Sequence, residues 1–204
     1  MISQPAEEGV RGGKAMRVKG VVDDVKYIVG MHLGVTLRKT GQVACKTEGF
    51  LATTKLDATF TGVPAHAGAA PETGKNAILA ACTATLDLHA ISRHSQGASR
   101  VNVGVIQGGS GRNVIPANAV IKVETRGAIS EINDYVYAEA VRIIEAAAAM
   151  QGCKVSMELM GGAAGCENDP ELVARIRKEA ERQKLLPDII EAGNIGGSED
   201  CTYF

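Results

Sequence analysis

The chain has 204 residues, 45% of them apolar, only 3% aromatic, and a formal net charge of -1 with well-mixed signs. Such a composition builds a core from Ala, Val, Ile, Leu and Met, and it argues against base stacking, a nucleic-acid footprint or a polybasic membrane patch. No apolar run reaches the roughly 18 residues of a membrane span, and five scattered cysteines without a C-x-x-C pair read as free thiols of a cytoplasmic protein, one of which could still serve as a nucleophile.

In Gln4-Pro5-Ala6-Glu7-Glu8-Gly9, Pro5 suits a first helical position and the two carboxylates suit the positive end of a helix dipole. The same pair has a second reading, in which one carboxylate binds a metal ion and its neighbour accepts a proton from the water that attacks a carbonyl. Val10 to Gly20 predicts a brief helix and Val21 to Val25 a turn. Tyr27 to His32 is an apolar run, consistent with a buried strand delivering His32 at its end. On position alone His32 is a satisfied histidine, and only a metal partner makes it a ligand.

From Phe50 the pattern alternates, with Phe50, Ala52, Leu56, Ala58 and Phe60 on one face. A loop from Gly62 to Gly74 carries His66. Asn76 to His94 predicts a helix with Leu79, Cys82, Leu86 and Ala90 at helical spacing. Arg100 to Ile106, with Val101, Val103 and Val105 on one face, and Ala119 to Thr125 predict strands. The glycine-rich Gly108 to Pro116 between them lacks the G-K-[ST] ending of a phosphate loop and reads as a long hairpin connection. A helix from Ser130 to Gly152, with Val136, Ala140, Ile143, Ala147 and Met150 in phase, and a strand from Lys154 to Met160 complete the order strand, helix, strand, strand, helix, strand. That is the order of a ferredoxin-like sandwich. Asp169-Pro170-Glu171 opens a charged helix to about Lys184, and a Gly-rich loop ends in Gly197-Ser198-Glu199-Asp200. The fold class expected is therefore α+β, a ferredoxin-like domain over 49–161 inserted between two pieces, 1–48 and 162–204, of an α/β domain.

Four stretches, taken in order, resemble the M20 metallopeptidases and amidohydrolases: Gln4 to Gly9, Pro64-Ala65-His66-Ala67-Gly68, Gly109-Ser110-Gly111-Arg112-Asn113-Val114-Ile115-Pro116, and Gly197 to Asp200, with Glu124-Thr125-Arg126 closing a strand. The resemblance implies a catalytic α/β domain with two divalent metal ions, zinc or manganese, and an inserted lid that also makes a homodimer. It implies cleavage of N-acyl or N-aroyl amino acids such as aminobenzoyl-glutamate, small-molecule substrates with a free carboxylate. By the same resemblance Glu7 is the general base on the bridging water and Glu8 and His32 are metal ligands. His66 stabilises the oxyanion in the other subunit's site, Asn113 assists it, and Arg126 holds the substrate carboxylate. Arg126 also has a plainer reading, an exposed polar position beside Lys122 and Glu124. The family's Cys-Gly-His-Asp-Gly-His stretch and a later histidine ligand have no counterpart here. The chain is thus expected to be about the middle half of such an enzyme, inactive alone. The alternative reading is a dimerising module without catalysis of its own.

Overall fold

The computed structural model describes residues 7–33, 37–184 and 188–204; Pro5, expected at a first helical position, and the side chain of Glu8 lie outside the described set. In chain order the elements are α1 (Gly12–Val18), β1 (Gln42–Ala44), β2 (Thr47–Glu48), β3 (Ala52–Thr61), β4 (Ala65–His66), α2 (Ala77–His89), β5 (Ser99–Gly108), β6 (Val114–Ile115), β7 (Asn118–Gly127), α3 (Ser130–Met150), β8 (Lys154–Ala163), α4 (Pro170–Gln183), β9 (Asp188–Ile190) and β10 (Gly193–Asn194). Contacts divide the chain into two compact units, one made of Met1–Ala52 with Ala163–Phe204 and the other of Thr53–Gly162.

The Thr53–Gly162 unit is the ferredoxin-like sandwich. Its four long strands stand in the order β5-β7-β3-β8, with β5 and β7 antiparallel and Arg100 opposite Arg126. The alternation that makes β3 half-buried places Leu56, Ala58 and Phe60 in the core, joined by Ala119, Ile121 and Val123 of β7. Helices α2 and α3 cover that face and pack on each other. Asn76 caps α2, its Oδ1 accepting from Leu79 N at 3.0 Å. Gly152, at φ 63°, follows the end of α3 in the left-handed region that glycine enters without steric cost.

The side of α2 that turns inward is made of Ala77, Ala80, Ala81, Ala84 and Leu88. The expected stripe is the outward one: Leu79 and Leu86 are 50% and 74% exposed. Small alanines let α2 lie close to α3, whose own buried stripe includes Ala140, Ala147 and Ala148, so close helix packing outweighs the greater hydrophobicity of leucine. The helix also ends at His89, short of His94. In β5 a bulge between Val103 and Val105 shifts the register, so Val105 pairs with Lys122 and leaves the face shared by Val101 and Val103. On α3, Met150 is exposed at the last turn. A buried polar chain is satisfied across three elements: Thr53 Oγ1 donates to Thr125 O at 3.0 Å, Thr125 Oγ1 to Asn133 Oδ1 at 2.9 Å, and Asn133 Nδ2 to Thr54 Oγ1 at 2.9 Å.

The other unit is knitted from both ends of the sequence. β1 pairs in parallel with β9, Val43 opposite Ile189, and β2 pairs in parallel with β10, Thr47 opposite Gly193. Leu51 N donates to Gly197 O at 2.7 Å, and Thr47 N to Asn168 Oδ1 at 2.6 Å. Asp169 caps α4 through Leu172 N at 2.7 Å, with Pro170 in the first turn. The expected strand over Tyr27 to His32 is not formed. These residues carry no strand pairing among the described residues, and Tyr27, Val29 and Met31 are 45%, 58% and 87% exposed. An apolar run becomes a strand only where a neighbour takes up its backbone groups. No helix among the described residues is long and apolar enough to cross a membrane.

Candidate metal centre and catalytic residues

The acidic pair opens a 3-10 turn, Glu7–Gly9, and the helix proper begins only at Gly12. From α1, Gly13 N donates to Asp200 Oδ2 at 2.7 Å, and a Cβ on Gly13 would stand 2.2 Å from Asp200 O. Glycine is what lets the two segments approach. Asp200 is wholly buried and begins the 3-10 turn Asp200–Tyr203, which Glu199 caps by accepting from Cys201 N at 3.4 Å.

Glu7, Glu199 and Asp200 thereby each present one carboxylate oxygen, all within 4.8 Å of one another. His32 joins them, its Nε2 2.9 Å from Glu199 Oε2. Carboxylates drawn together with one fully buried oppose each other unless positive charge lies among them. Oxygen donors with an imidazole are a set that zinc and manganese accept. The residues present therefore fit a divalent cation.

Neighbouring groups feel the negative field. The Cys201 thiol is pushed up to about 12, first by burial and then by the charges of Glu199, Cys166, Asp200 and Glu7. Cys166 is raised by burial, Glu167 and Glu199. Tyr203 is raised by burial and by Asp200. All three are held in their neutral forms, in which none is a ready nucleophile.

Of the residues that the sequence assigns to this centre, Glu7 and His32 are in it, and Glu8 falls outside the described side chains. Glu199 and Asp200 belong to a motif of the sequence that carries no role for them there. A second adjacent acidic pair closing a Gly-rich loop is the signal that could have found them.

In the Thr53–Gly162 unit, β4 and β6 form a small antiparallel ladder with His66 opposite Val114, and Ala67 N donates to Asn113 O at 2.9 Å. The His66 and Asn113 stretches are thus adjacent. His66 Nδ1 accepts from Gly68 N at 3.2 Å and from Ala69 N at 3.1 Å. With Nδ1 engaged as an acceptor, the neutral ring carries its proton on Nε2, and the side chain is exposed. Arg126 pairs with Glu124 through two hydrogen bonds, Nε to Oε2 at 2.9 Å and Nη2 to Oε1 at 3.1 Å. Both side chains remain more than a quarter exposed.

Residues 52–150 match the profile of the M20 peptidase dimerisation domain. Over 99% of its length the chain is 53% identical to a p-aminobenzoyl-glutamate hydrolase chain of Escherichia coli K12 and 51% identical to indole-3-acetyl-aspartic acid hydrolase of Enterobacter agglomerans, covering 46% of each. The crystal structure of an aminobenzoyl-glutamate utilization protein from Klebsiella pneumoniae superposes with a TM-score of 0.89 at 50% identity, over 98% of this chain and 51% of that one. The chain spans about half the length of the curated relatives it matches. On these matches, and with its inserted ferredoxin-like unit, the chain belongs to the M20 family of metallopeptidases and amidohydrolases, whose members of this kind are hydrolases.

Proposed function

We propose that the chain is the central part of a metal-dependent amidohydrolase that cleaves the amide of an N-acyl or N-aroyl amino acid, aminobenzoyl-glutamate foremost. The observation that carries this reading is the convergence of Glu7, Glu199 and Asp200 with His32 against Glu199. The substrate follows from the names of the relatives, both of which hydrolyse an amide of an acidic amino acid.

In this reading His32, Glu199, Asp200 and Glu8 hold divalent ions, zinc or manganese. Such ions supply Lewis-acid polarisation of the amide carbonyl. Glu7 takes the proton from the attacking water and passes it to the leaving nitrogen. His66 donates Nε2–H to the oxygen that becomes negative, with Asn113 as a second donor, and Arg126 holds the substrate carboxylate. The tautomer set at His66 by Gly68 and Ala69 supports its part as a donor.

The enzyme works as a homodimer in the cytoplasm. The family description of residues 52–150 supports the dimer. So do the exposed apolar side of α2, Leu79 and Leu86, and Ile106 on the edge strand β5.

The test is release of aminobenzoate from aminobenzoyl-glutamate by the protein extended to the length of its relatives, with zinc or manganese supplied. Turnover is expected, and Glu7→Ala lowers it by about a hundredfold or more. Turnover unchanged in Glu7→Ala rules out the general-base role, and no turnover with either metal rules out the activity. A dimerising module without catalysis is the second reading, and it would show dimer in sedimentation with no turnover.

A further inference from the structure

On the outer face of the sheet, away from α2 and α3, the paired strands β5 and β7 set Arg100 directly opposite Arg126 and Asn102 directly opposite Glu124. Like charges facing each other across an antiparallel pair destabilise it unless something negative lies between them. Glu124 supplies that charge to Arg126 alone. Its Oε2 takes Arg126 Nε, and its Oε1 takes Arg126 Nη2 and, at 3.4 Å, Thr53 Oγ1. The exposed Arg100 side chain has neither hydrogen bond nor ion pair among the described residues. All four residues, with Arg93, line one open groove. The groove is also lined by His89 of α2 and Val136 of α3, so it reaches from the outer face toward the helices, and it holds three arginines with one glutamate, a local positive excess in a chain whose net charge is -1.

Building on the amidohydrolase reading, we propose that Arg100 is a specificity residue that binds the second carboxylate of a dicarboxylic N-acyl amino acid, next to the carboxylate held by Arg126. A guanidinium grips a carboxylate through two parallel hydrogen bonds, and two guanidinia on facing strands match two carboxylates on one short chain. Asn102, two residues along β5 and opposite Glu124, adds an amide donor beside that pair. A site built to pair a charge rejects the analogue that lacks it far more sharply than an apolar pocket rejects a missing methylene. Arg100 therefore separates glutamate and aspartate amides from those of neutral amino acids.

The test has a binding arm and a kinetic arm. The 204-residue chain is titrated with glutarate, butyrate and inorganic phosphate, and backbone amide shifts are followed by NMR. Glutarate is expected to move the amides of residues 100–102 and 124–126 and to bind about tenfold more tightly than butyrate. Arg100→Gln removes that advantage, and Arg100→Lys, which keeps the charge without the fork, leaves part of it. Equal binding of glutarate, butyrate and phosphate, or an advantage that survives Arg100→Gln, overturns the proposal. In the extended protein, Arg100→Gln lowers the ratio of kcat/KM for aminobenzoyl-glutamate over aminobenzoyl-alanine by about tenfold or more. If turnover is present and that ratio holds within about twofold, Arg100 is not the specificity residue and the amidohydrolase reading stands. If turnover is absent while glutarate keeps its Arg100-dependent advantage, the hydrolase reading fails and the two-carboxylate site is upheld.

Discussion

Gly13 N and Asp200 Oδ2 meet at 2.7 Å across 187 positions of sequence, and the contact leaves no room for a side chain at Gly13. Gly13→Ala forces a methyl to within 2.2 Å of Asp200 O. It is expected to cost about 1–3 kcal/mol in urea unfolding. Gly30→Ala, where a Cβ meets nothing within 4 Å, changes stability by no more than about 0.5 kcal/mol. Equal effects at the two sites would mean that the approach of Gly13 to Asp200 is not what holds the segments.

The acidic cluster makes a prediction about metal. Glu199→Gln removes the carboxylate that faces both His32 and the cluster while keeping its shape. Zinc or manganese affinity measured by calorimetry falls at least about tenfold, and chelation lowers the thermal midpoint of the native chain but not that of the variant. Unchanged affinity in Glu199→Gln would remove this residue from the centre.

Cys201 gives a pH dependence of known sign. Its thiol rises from an ordinary 9.0 to about 12 in the fold, because burial and the charges of Glu199, Cys166, Asp200 and Glu7 oppose the thiolate. Below pH 9 both folded and unfolded chains keep the proton, and the contribution to stability is whole. Between pH 9 and 12 only the unfolded chain releases it, so stability falls as pH rises. Cys201→Ser flattens that decline, since a hydroxyl does not titrate there. In native protein at neutral pH, Cys201 is alkylated more slowly than Cys45, as mass spectrometry of the labelled peptides can show.

His66 should carry its proton on Nε2. Long-range proton–nitrogen spectra of the neutral side chain report the tautomer directly, and a protonated Nδ1 would contradict the two amide contacts from Gly68 and Ala69. In the extended enzyme, His66→Phe is expected to lower kcat by about a hundredfold or more with KM little changed, as for a lost oxyanion donor.

Leu86→Glu tests the dimer. Leu86 is 74% exposed and outside the core, so the variant keeps its helix content while sedimentation shifts from dimer to monomer. A dimer that survives both this change and Leu79→Glu lies on another surface.

The sandwich was legible in the sequence wherever local period and burial agree. Leu56, Ala58 and Phe60 alternate because one face of β3 is buried, and Asn76 and Asp169 announce helices through their own side chains. Reading failed where a distant partner decides. The inward side of α2 is set by the closeness of α3, which favours Ala80 and Ala84 over Leu79 and Leu86. The bulge at Gly104 belongs to the pairing with β7, and in β5 alone only the glycine inside the strand marks it. The acidic cluster was half legible: Glu7 and His32 stand out by type and position, but the placement of Glu199 and Asp200 beside them depends on contacts with residues almost a whole chain away.

The side chains of Gln42 and Asp188 hydrogen-bond across 146 positions, so the ladder of β1 and β9 closes a very long loop. Loop closure costs entropy that grows with the length of free chain. Folding of Thr53–Gly162 shortens that free chain, because its first and last strands, β3 and β8, are neighbours in one sheet. On a ribosome, Glu7 emerges long before Glu199, and the inserted sandwich is complete in between. The order of synthesis thus favours a folded insert that acts as a splint, bringing the two ends together before the carboxylates that need each other have met.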